Sequence, residues 1–405
     1  MHFVFAFLVV AASLGSIVTT IQVALTWLFQ KGRLPMRHQE MRELPAGFQQ
    51  ADSFRPLPFV SILKPVCGLD DELEENLASF ASLEGIRHEI LLSVADPFDP
   101  AVEVIHRILE RFPHAPFRLV TGGAPSLESG NRKVARLIAA APYARGEVLL
   151  ISDSNVRVLP SDVMRMMEPF RDPRVGCVSS LFAGCRSRTL GASIEALHLL
   201  SFVVPGAVTA AAVAVPCVVG KSMAVSRTAL EAIGGFERFA GLLAEDQAMG
   251  LAVRGAGFGV VLSPVVVRNV IVSRTLARAL DRQIRWNKIR YAFSRTAYAA
   301  EILVNPLPLM LLASITGVVA GVQPGVMMLP LLICILRMAQ VAILAMATGV
   351  TLTTADLLRV PLLDLLMFGG QFVPFMSDRV NWRGHELRIG PQTMLMTEER
   401  LPLVA

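Results

Sequence analysis

The stretch "EVLLISDSNVRVLP" (147–160) decides the fold. Its apolar run ends abruptly at Ser152 and Asp153, and a short apolar run closed by turn-forming residues reads as a strand buried on both faces. Outward from it, "FVSILKPV" (59–66), "HEILLSVAD" (88–96), "FRLVTGG" (117–123), "GEVLLISDS" (146–154) and "VGCVSSLF" (175–182) read as strands. Between them, "DELEENLASFASL" (71–83), "AVEVIHRILERF" (101–112), "RKVARLIAAAPY" (132–143) and "SDVMRMMEPF" (161–170) read as helices. Regular alternation predicts an α/β domain with a mainly parallel sheet covered on both faces, and such sheets bind ligands at the carboxyl ends of their strands.

Apolar sequence flanks this domain. The chain has 405 residues, 53% of them hydrophobic and 18% charged, with a mean hydropathy of +0.53. That is too apolar for an ordinary soluble domain and too charged for a protein wholly inside lipid. Residues 3–29 carry no charge and are long enough to span a bilayer. The basic "KGRLPMRHQEMR" that follows places the downstream side in the cytoplasm. Near the other end, 302–322 and 326–348 are apolar runs of spanning length, and 357–377 is a weaker one carrying Asp364. Because "SDRVNWRGHELR" (377–388) is basic, two spans and one interfacial segment are expected there.

The apolar run 196–220 is long enough to cross, but a single crossing would split one domain between two compartments. With Pro205, Gly206 and Pro216 interrupting it, a broken segment in the interface or against the domain is expected. The net charge of +5 suits anionic lipid or an anionic substrate and gives no support to nucleic-acid binding. Cys67, Cys177, Cys185, Cys217 and Cys334 are scattered without a CxxC pair, so neither a zinc site nor a disulfide framework is indicated.

Three acidic sites stand at strand ends or in loops: Asp96 and Asp99 in "SVADPFDP", Asp153 in "LLISDSNV", and Glu245 with Asp246 in "LLAEDQAMG". Any one of them alone reads as a helix cap or turn former. Together with nearby arginines they suit a divalent cation and a diphosphate leaving group. The arginines come from "LARALDRQIRWNKIRYAF" (276–293), read as a helix with Leu276, Leu280 and Ile284 on one face and Arg278, Arg282, Arg285 and nearly Trp286 on another. Such a helix can lie on anionic lipid, hold an anion, or do both. "GNRKVARL" (130–137) opens a helix with Lys133, either a solvated face or a nucleotide contact. His198 and Cys217 read as packing residues.

In this order, "SILKPVCGLD", "EILLSVADPFDPAV", "EVLLISDSNVRVLP", "GKSMAVSRTALEAIGGF", "AEDQAMG" and "RQIRWNKIR" resemble the motifs of family 2 glycosyltransferases, specifically ceramide glucosyltransferases and their bacterial relatives. The resemblance covers roughly 59–292 and implies a GT-A-like, Rossmann-type domain inserted between membrane helices. It places the family's three aspartates on Asp96, Asp153 and Asp246, and its closing Q/R-x-x-R-W motif on Arg282, Arg285 and Trp286. It implies uridine near Pro65, Asp96 and Lys133, Mg²⁺ or Mn²⁺ at Asp153, diphosphate at Arg282 and Arg285, Trp286 beneath the acceptor, and Asp246 as catalytic base. The usual Asp-x-Asp is here "DSN", with Asn155 as the third residue.

The implied organisation is an anchor at 1–30, a basic linker at 31–58, a cytoplasmic catalytic domain at 59–300, membrane or interfacial helices at 301–378 and a cytoplasmic tail at 379–405. The implied activity is inverting transfer of glucose or a related sugar from a UDP-sugar to a lipid hydroxyl at the cytoplasmic face of a bacterial inner membrane. Ceramide leads as acceptor, with hopanoids and other bacterial lipids as alternatives. A processive polysaccharide synthase would show Gln in place of Arg282 and more spans. A transporter would want more ionisable residues in its spans than Arg337, and a degenerate scaffold would not be expected to keep every acidic motif position.

Overall fold

A computed structural model describes residues 1–34, 56–122, 130–322, 324–382 and 385–396. Residues 35–55 of the expected linker and 397–405 of the expected tail lie outside the described residues. The chain divides into two compact units: Met1–Leu34, Ser187–Thr209 and Ser273–Ala405 form one, Pro35–Arg186 and Ala210–Val272 the other.

The second unit is built on an eight-stranded sheet of β1 (Val60–Val66), β2 (His88–Val94), β3 (Phe117–Thr121), β4 (Val148–Ser152), β5 (Val156–Arg157), β6 (Val175–Cys185), β7 (Ser222–Ser226) and β8 (Gly259–Val270), in the order β3-β2-β1-β4-β7-β6-β8-β5. The pairs β2–β3, β1–β2, β1–β4 and β6–β8 are parallel, whereas β7 is antiparallel to both β4 and β6, and β5 to β8. The apolar runs of β1 and β4 are buried along their whole length, as central strands covered on both faces require. β3, at the edge, is mostly solvated.

Three strands were not anticipated. β5 is too short to show a period, β7 follows the long apolar run 196–220 almost directly and is not set off from it, and β8 contains Pro264, which argues against a strand interior. The β6–β8 register shifts at that point, where Ser180 pairs with Ser263 and Leu181 with Val266. This bulge absorbs the missing N–H of Pro264. The register Leu63↔Ile151 sets the carboxyl ends of β1 and β4 side by side, and the site is built there.

In the first unit, the helix His2–Gln30 packs on the helix Pro306–Val319 through Ala11, Ala12, Leu309, Met310 and Ala313. The approach is close at Gly317, where a Cβ would stand 2.9 Å from the Phe5 ring, and small residues permit such contact between apolar helices. Among the described residues, three helices are long and apolar enough to cross a membrane: His2–Gln30, Leu190–Ala212 and Pro324–Thr348.

Two expectations about the apolar runs are corrected. The run 302–322 is not one straight span: the segment before Asn305 meets Pro306–Val319 at 63°, because Pro306 starts a new helix and cannot continue the old one. Pro205 and Gly206 do not break the run 196–220, since Leu190–Ala212 is continuous; the run is broken instead after Ala212, ahead of Pro216. A π turn at Leu199–Val203 directly precedes Pro205, and that wider turn accommodates the proline's missing N–H and its ring. About half of this helix's most apolar window, 56%, is buried in the protein, against 17% and 22% for the other two, so it is covered by protein far more than they are.

Among the apolar helices, Arg337 on Leu329–Thr348 and Asp364 on Val360–Gly370 form a two-pronged ion pair of 2.9 and 3.1 Å. Arg337 also donates to Gln340 at 2.9 Å, and Gln340 donates to Thr20 at 2.8 Å on the first helix. An antiparallel sheet of three short strands, Arg379–Trp382, His385–Ile389 and Leu395–Met396, closes the described chain.

Candidate active site at the carboxyl end of the sheet

Lys64, near the end of β1, is wholly buried. Its ammonium donates to Ser152 Oγ at 3.3 Å and to the Asp153 carbonyl at 3.0 Å, and lies 3.8 Å from the centre of the Phe80 ring. Burial pushes its pKa down to about 7 against the pull of Asp153 and Asp70.

Lys133 is aimed by a cap. Asn131 Oδ1 accepts from the backbone N–H groups of Lys133 and Val134 at the start of the helix Arg132–Ala140, while its amide donates to Glu245 Oε2 at 2.8 Å. The Lys133 ammonium then lies 3.1 Å from Asp153 Oδ1 and 3.0 Å from Glu245 Oε1, and donates to the Gly220 carbonyl at 2.9 Å. Burial works against its charge, but Asp153, Glu245 and Asp246 hold its pKa above the ordinary lysine range.

Lys221 approaches Asp153 from the other side, 3.0 Å from Oδ2, and donates to Asn155 Oδ1 at 2.9 Å. Burial alone would raise the Asp153 pKa, but the two lysines hold it well below the usual carboxylate range.

Asp246 stands in the first turn of the helix Glu245–Gly255. Its Oδ2 accepts the Gly220 N–H at 2.5 Å and its Oδ1 the Gln247 N–H at 2.8 Å. Burial and neighbouring Glu245 push its pKa up to about 6, with Lys133 opposing. Gly220 is needed for this arrangement, since a Cβ would stand 2.7 Å from Lys133 Nζ and 2.9 Å from Asp246 Oδ2. The result is a compact set of carboxylates and ammonium groups, able to bind an anion and to accept a proton near neutrality.

Lys133, Asp153 and Asp246 therefore meet around Gly220. Pro65 is buried on β1, and Asp96 is exposed just beyond β2, its Oδ1 accepting the Phe98 N–H at 2.9 Å. Arg282, Arg285 and Trp286 belong to the helical unit, on a helix spanning Leu276–Phe293. There Arg282 is 2.7 Å from the fully buried Glu195, which also holds Arg274 at 3.0 Å, and its guanidinium lies 5.0 Å from the centre of the Trp286 indole. The buried face of that helix is Ala279, Gln283 and Asn287, whereas the expected apolar face of Leu276, Leu280 and Ile284 is only half-buried. On that face Asn287 donates to the Gly370 carbonyl at 3.0 Å.

Lys64, Lys221, Asn131 and Glu195 were not singled out from the sequence. The available signals were a charge inside an apolar run for Lys64 and Glu195, a cap position for Asn131, and a lysine directly after an apolar stretch for Lys221.

A mainly parallel sheet with acidic and basic groups gathered at its carboxyl edge is the architecture of a GT-A-type glycosyltransferase. The chain belongs to glycosyl transferase family 21, whose model matches residues 8–395. It is 26% identical over 253 residues to ceramide glucosyltransferase 3 of Caenorhabditis elegans, a match covering 62% of this chain and 55% of that protein. It is 27% identical over 246 residues to ceramide glucosyltransferase 1 of the same species, covering 58% and 50%. The chain thus spans about half the length of the curated relatives it matches. A mannosyltransferase from Pyrobaculum calidifontis, solved with GDP-Man and Mn²⁺, is similar in fold, with a TM-score of 0.53 and 17% identity over 91% of this chain and 99% of that one. The ceramide glucosyltransferase type and the GT-A-like fold expected from the motifs are both borne out.

Proposed function

We propose that the chain is a membrane-bound inverting glycosyltransferase that moves glucose or a related sugar from a UDP-sugar to a lipid hydroxyl, with ceramide as the leading acceptor. The observation that carries this reading is the convergence of Asp153, Lys133 and Asp246 on Gly220. Uridine would rest at the carboxyl ends of β1 and β2, by Pro65 and Asp96. Lys133 would face the diphosphate, and Arg282 and Arg285 would add positive charge to it, as the resemblance of "RQIRW" implies. Trp286 would pack beneath the acceptor.

Asp246 would take the proton of the acceptor hydroxyl as that oxygen attacks the anomeric carbon. The bond from that carbon to the diphosphate breaks, the configuration inverts, and the proton stays on the carboxyl group. A pKa pushed up to about 6 suits a base working near neutrality.

A divalent cation, Mg²⁺ or Mn²⁺, would rest on Asp153. Among the described residues no group of three His, Cys, Asp or Glu side chains is arranged to hold a metal. This fits an ion that takes one protein carboxylate and completes its shell with substrate phosphates and water. When bound it would neutralise charge on the departing diphosphate.

The test is incubation of the full-length protein with a panel of UDP-sugars and a total lipid extract, followed by mass spectrometry. A ceramide gaining a hexose is the expected result. A hopanoid or other lipid gaining the sugar would replace the acceptor, and no modified lipid with any donor would defeat the reading.

A further inference from the structure

Glu195, His198 and Phe202 on the helix Leu190–Ala212 are spaced i, i+3 and i+7 and share a face, as do Arg282, Trp286 and Arg290 on Leu276–Phe293. The two faces meet residue by residue. Arg282 pairs with Glu195 at 2.7 Å, the ring centres of His198 and Trp286 lie 6.4 Å apart, and the Arg290 guanidinium lies 4.7 Å from the centre of the Phe202 ring. His198 also stacks on Phe202, with centres 5.1 Å apart and planes within 19°. The result is a row of three rings, from Phe202, 37% exposed, through His198, 4% exposed, to half-buried Trp286.

His198 reads from the sequence as a packing residue, yet packing leaves its Nδ1 buried and without a hydrogen-bond partner among the described residues. Such a nitrogen costs stability, and a phenylalanine ring would fill the same space without that cost. Each guanidinium group beside the rings has a carboxylate partner, Glu195 for Arg282 and Glu301, at 3.0 Å, for Arg290. The row thus offers apolar ring faces and one polar atom that its own surroundings do not satisfy. That combination suits a neutral lipid head, with a hydroxyl or amide group set directly on apolar chains.

We propose that His198 binds the polar head of the acceptor lipid through Nδ1, with Phe202 and Trp286 packing on the apolar part beside it. A neutral imidazole accepts there from a hydroxyl or, as the other tautomer, donates to an amide carbonyl. A ceramide carries both groups. The inference rests on the reading that a lipid hydroxyl is the acceptor, and adds the side chain that recognises it.

The experiment uses the full-length protein in lipid nanodiscs with a short-chain ceramide. It measures KM for ceramide and for the UDP-sugar from initial rates, and the rise in Tm that ceramide alone produces. His198→Phe keeps a ring on Phe202 but removes the nitrogen. It should raise the ceramide KM about tenfold, the scale of one hydrogen bond, and leave the UDP-sugar KM unchanged. Without ceramide it should melt no earlier than the parent, and ceramide should raise its Tm less. His198→Asn returns a polar group near the Nδ1 position and should recover part of the ceramide KM. Phe202→Ala, at the exposed end of the row, should also raise the ceramide KM, and it carries the test if a His198 variant fails to fold. If the parent uses ceramide and the folded variants keep its ceramide KM and its ceramide-dependent rise in Tm, His198 is a packing residue and the inference alone is overturned. If ceramide neither accepts sugar from the parent nor raises its Tm, the reading of ceramide as acceptor falls and takes this inference with it.

Discussion

Charges are buried both at the carboxyl edge of the sheet and among the apolar helices, but the two groups are balanced differently. Arg337 and Asp364 meet one to one through two parallel contacts, and the spare donor of Arg337 goes to Gln340. Such an arrangement is closed; it fixes which helices meet and offers nothing to a ligand. At the sheet edge Asp153 carries two lysines, Lys133 spans Asp153 and Glu245, and Asp246 relies on backbone N–H groups. Two groups there have pKa values displaced toward neutrality, Lys64 to about 7 and Asp246 to about 6. Ionic pairing in a protein interior thus serves architecture where it is saturated and chemistry where it is shared.

The sharpest way to test that contrast is to remove one charge from each region. Asp246→Asn keeps shape and hydrogen bonding but cannot accept a proton, so transfer should fall by about 10²–10⁴ while UDP-sugar affinity holds. Initial rates beside calorimetric binding check this, and near-parent turnover would place the base elsewhere. Arg337→Ala should instead leave chemistry per folded molecule intact and cost stability, about 3–5 kcal/mol for stranding a buried Asp364. Thermal unfolding in detergent measures it, and Arg337→Met combined with Asp364→Leu should recover most of the loss.

A smaller effect is expected from crowding the shared cluster without altering a charge. Gly220→Ala puts a Cβ against Lys133 Nζ and Asp246 Oδ2, and a displacement of that order should lower turnover about tenfold to a hundredfold. Unchanged kinetics would show that the close packing around Gly220 does not matter to the reaction.

The mildest probe is pH. Asp246 acts as a base only when ionised, so the rate should climb through about pH 6 and level off above it. The sign for stability is the reverse. The folded pKa of about 6 lies above the ordinary 3.8, so the fold binds this proton more tightly than the unfolded chain does. The group's contribution is full below 3.8 and is lost as pH rises through about 6. Asp246→Asn should therefore unfold no earlier than the parent above neutrality, as melting curves at two pH values would report.

Residue order and periodicity alone settled the strand–helix alternation, the apolar helices at both ends and the places of Asp96, Asp153 and Asp246, because these are properties of consecutive residues. The sequence did not reveal β5, which is too short to carry a period, β7, which follows the apolar run 196–220 almost directly, or β8, where Pro264 masks a strand that a bulge rescues. It also misread the passage of a helix through Pro205, which depends on a π turn just before it.

Most of all, partners could not be read from the sequence. Lys133 and Gly220 lie 87 positions apart, Asn131 and Glu245 114. Lys221 and Asn155 are separated by 66, and Arg337 and Asp364 by 27. Which ammonium answers which carboxylate depends on strand register and helix packing, and burial then makes each pairing strong. Local pattern determined the elements and the residue types at their ends, and tertiary structure alone decided which charges are shared and which are closed.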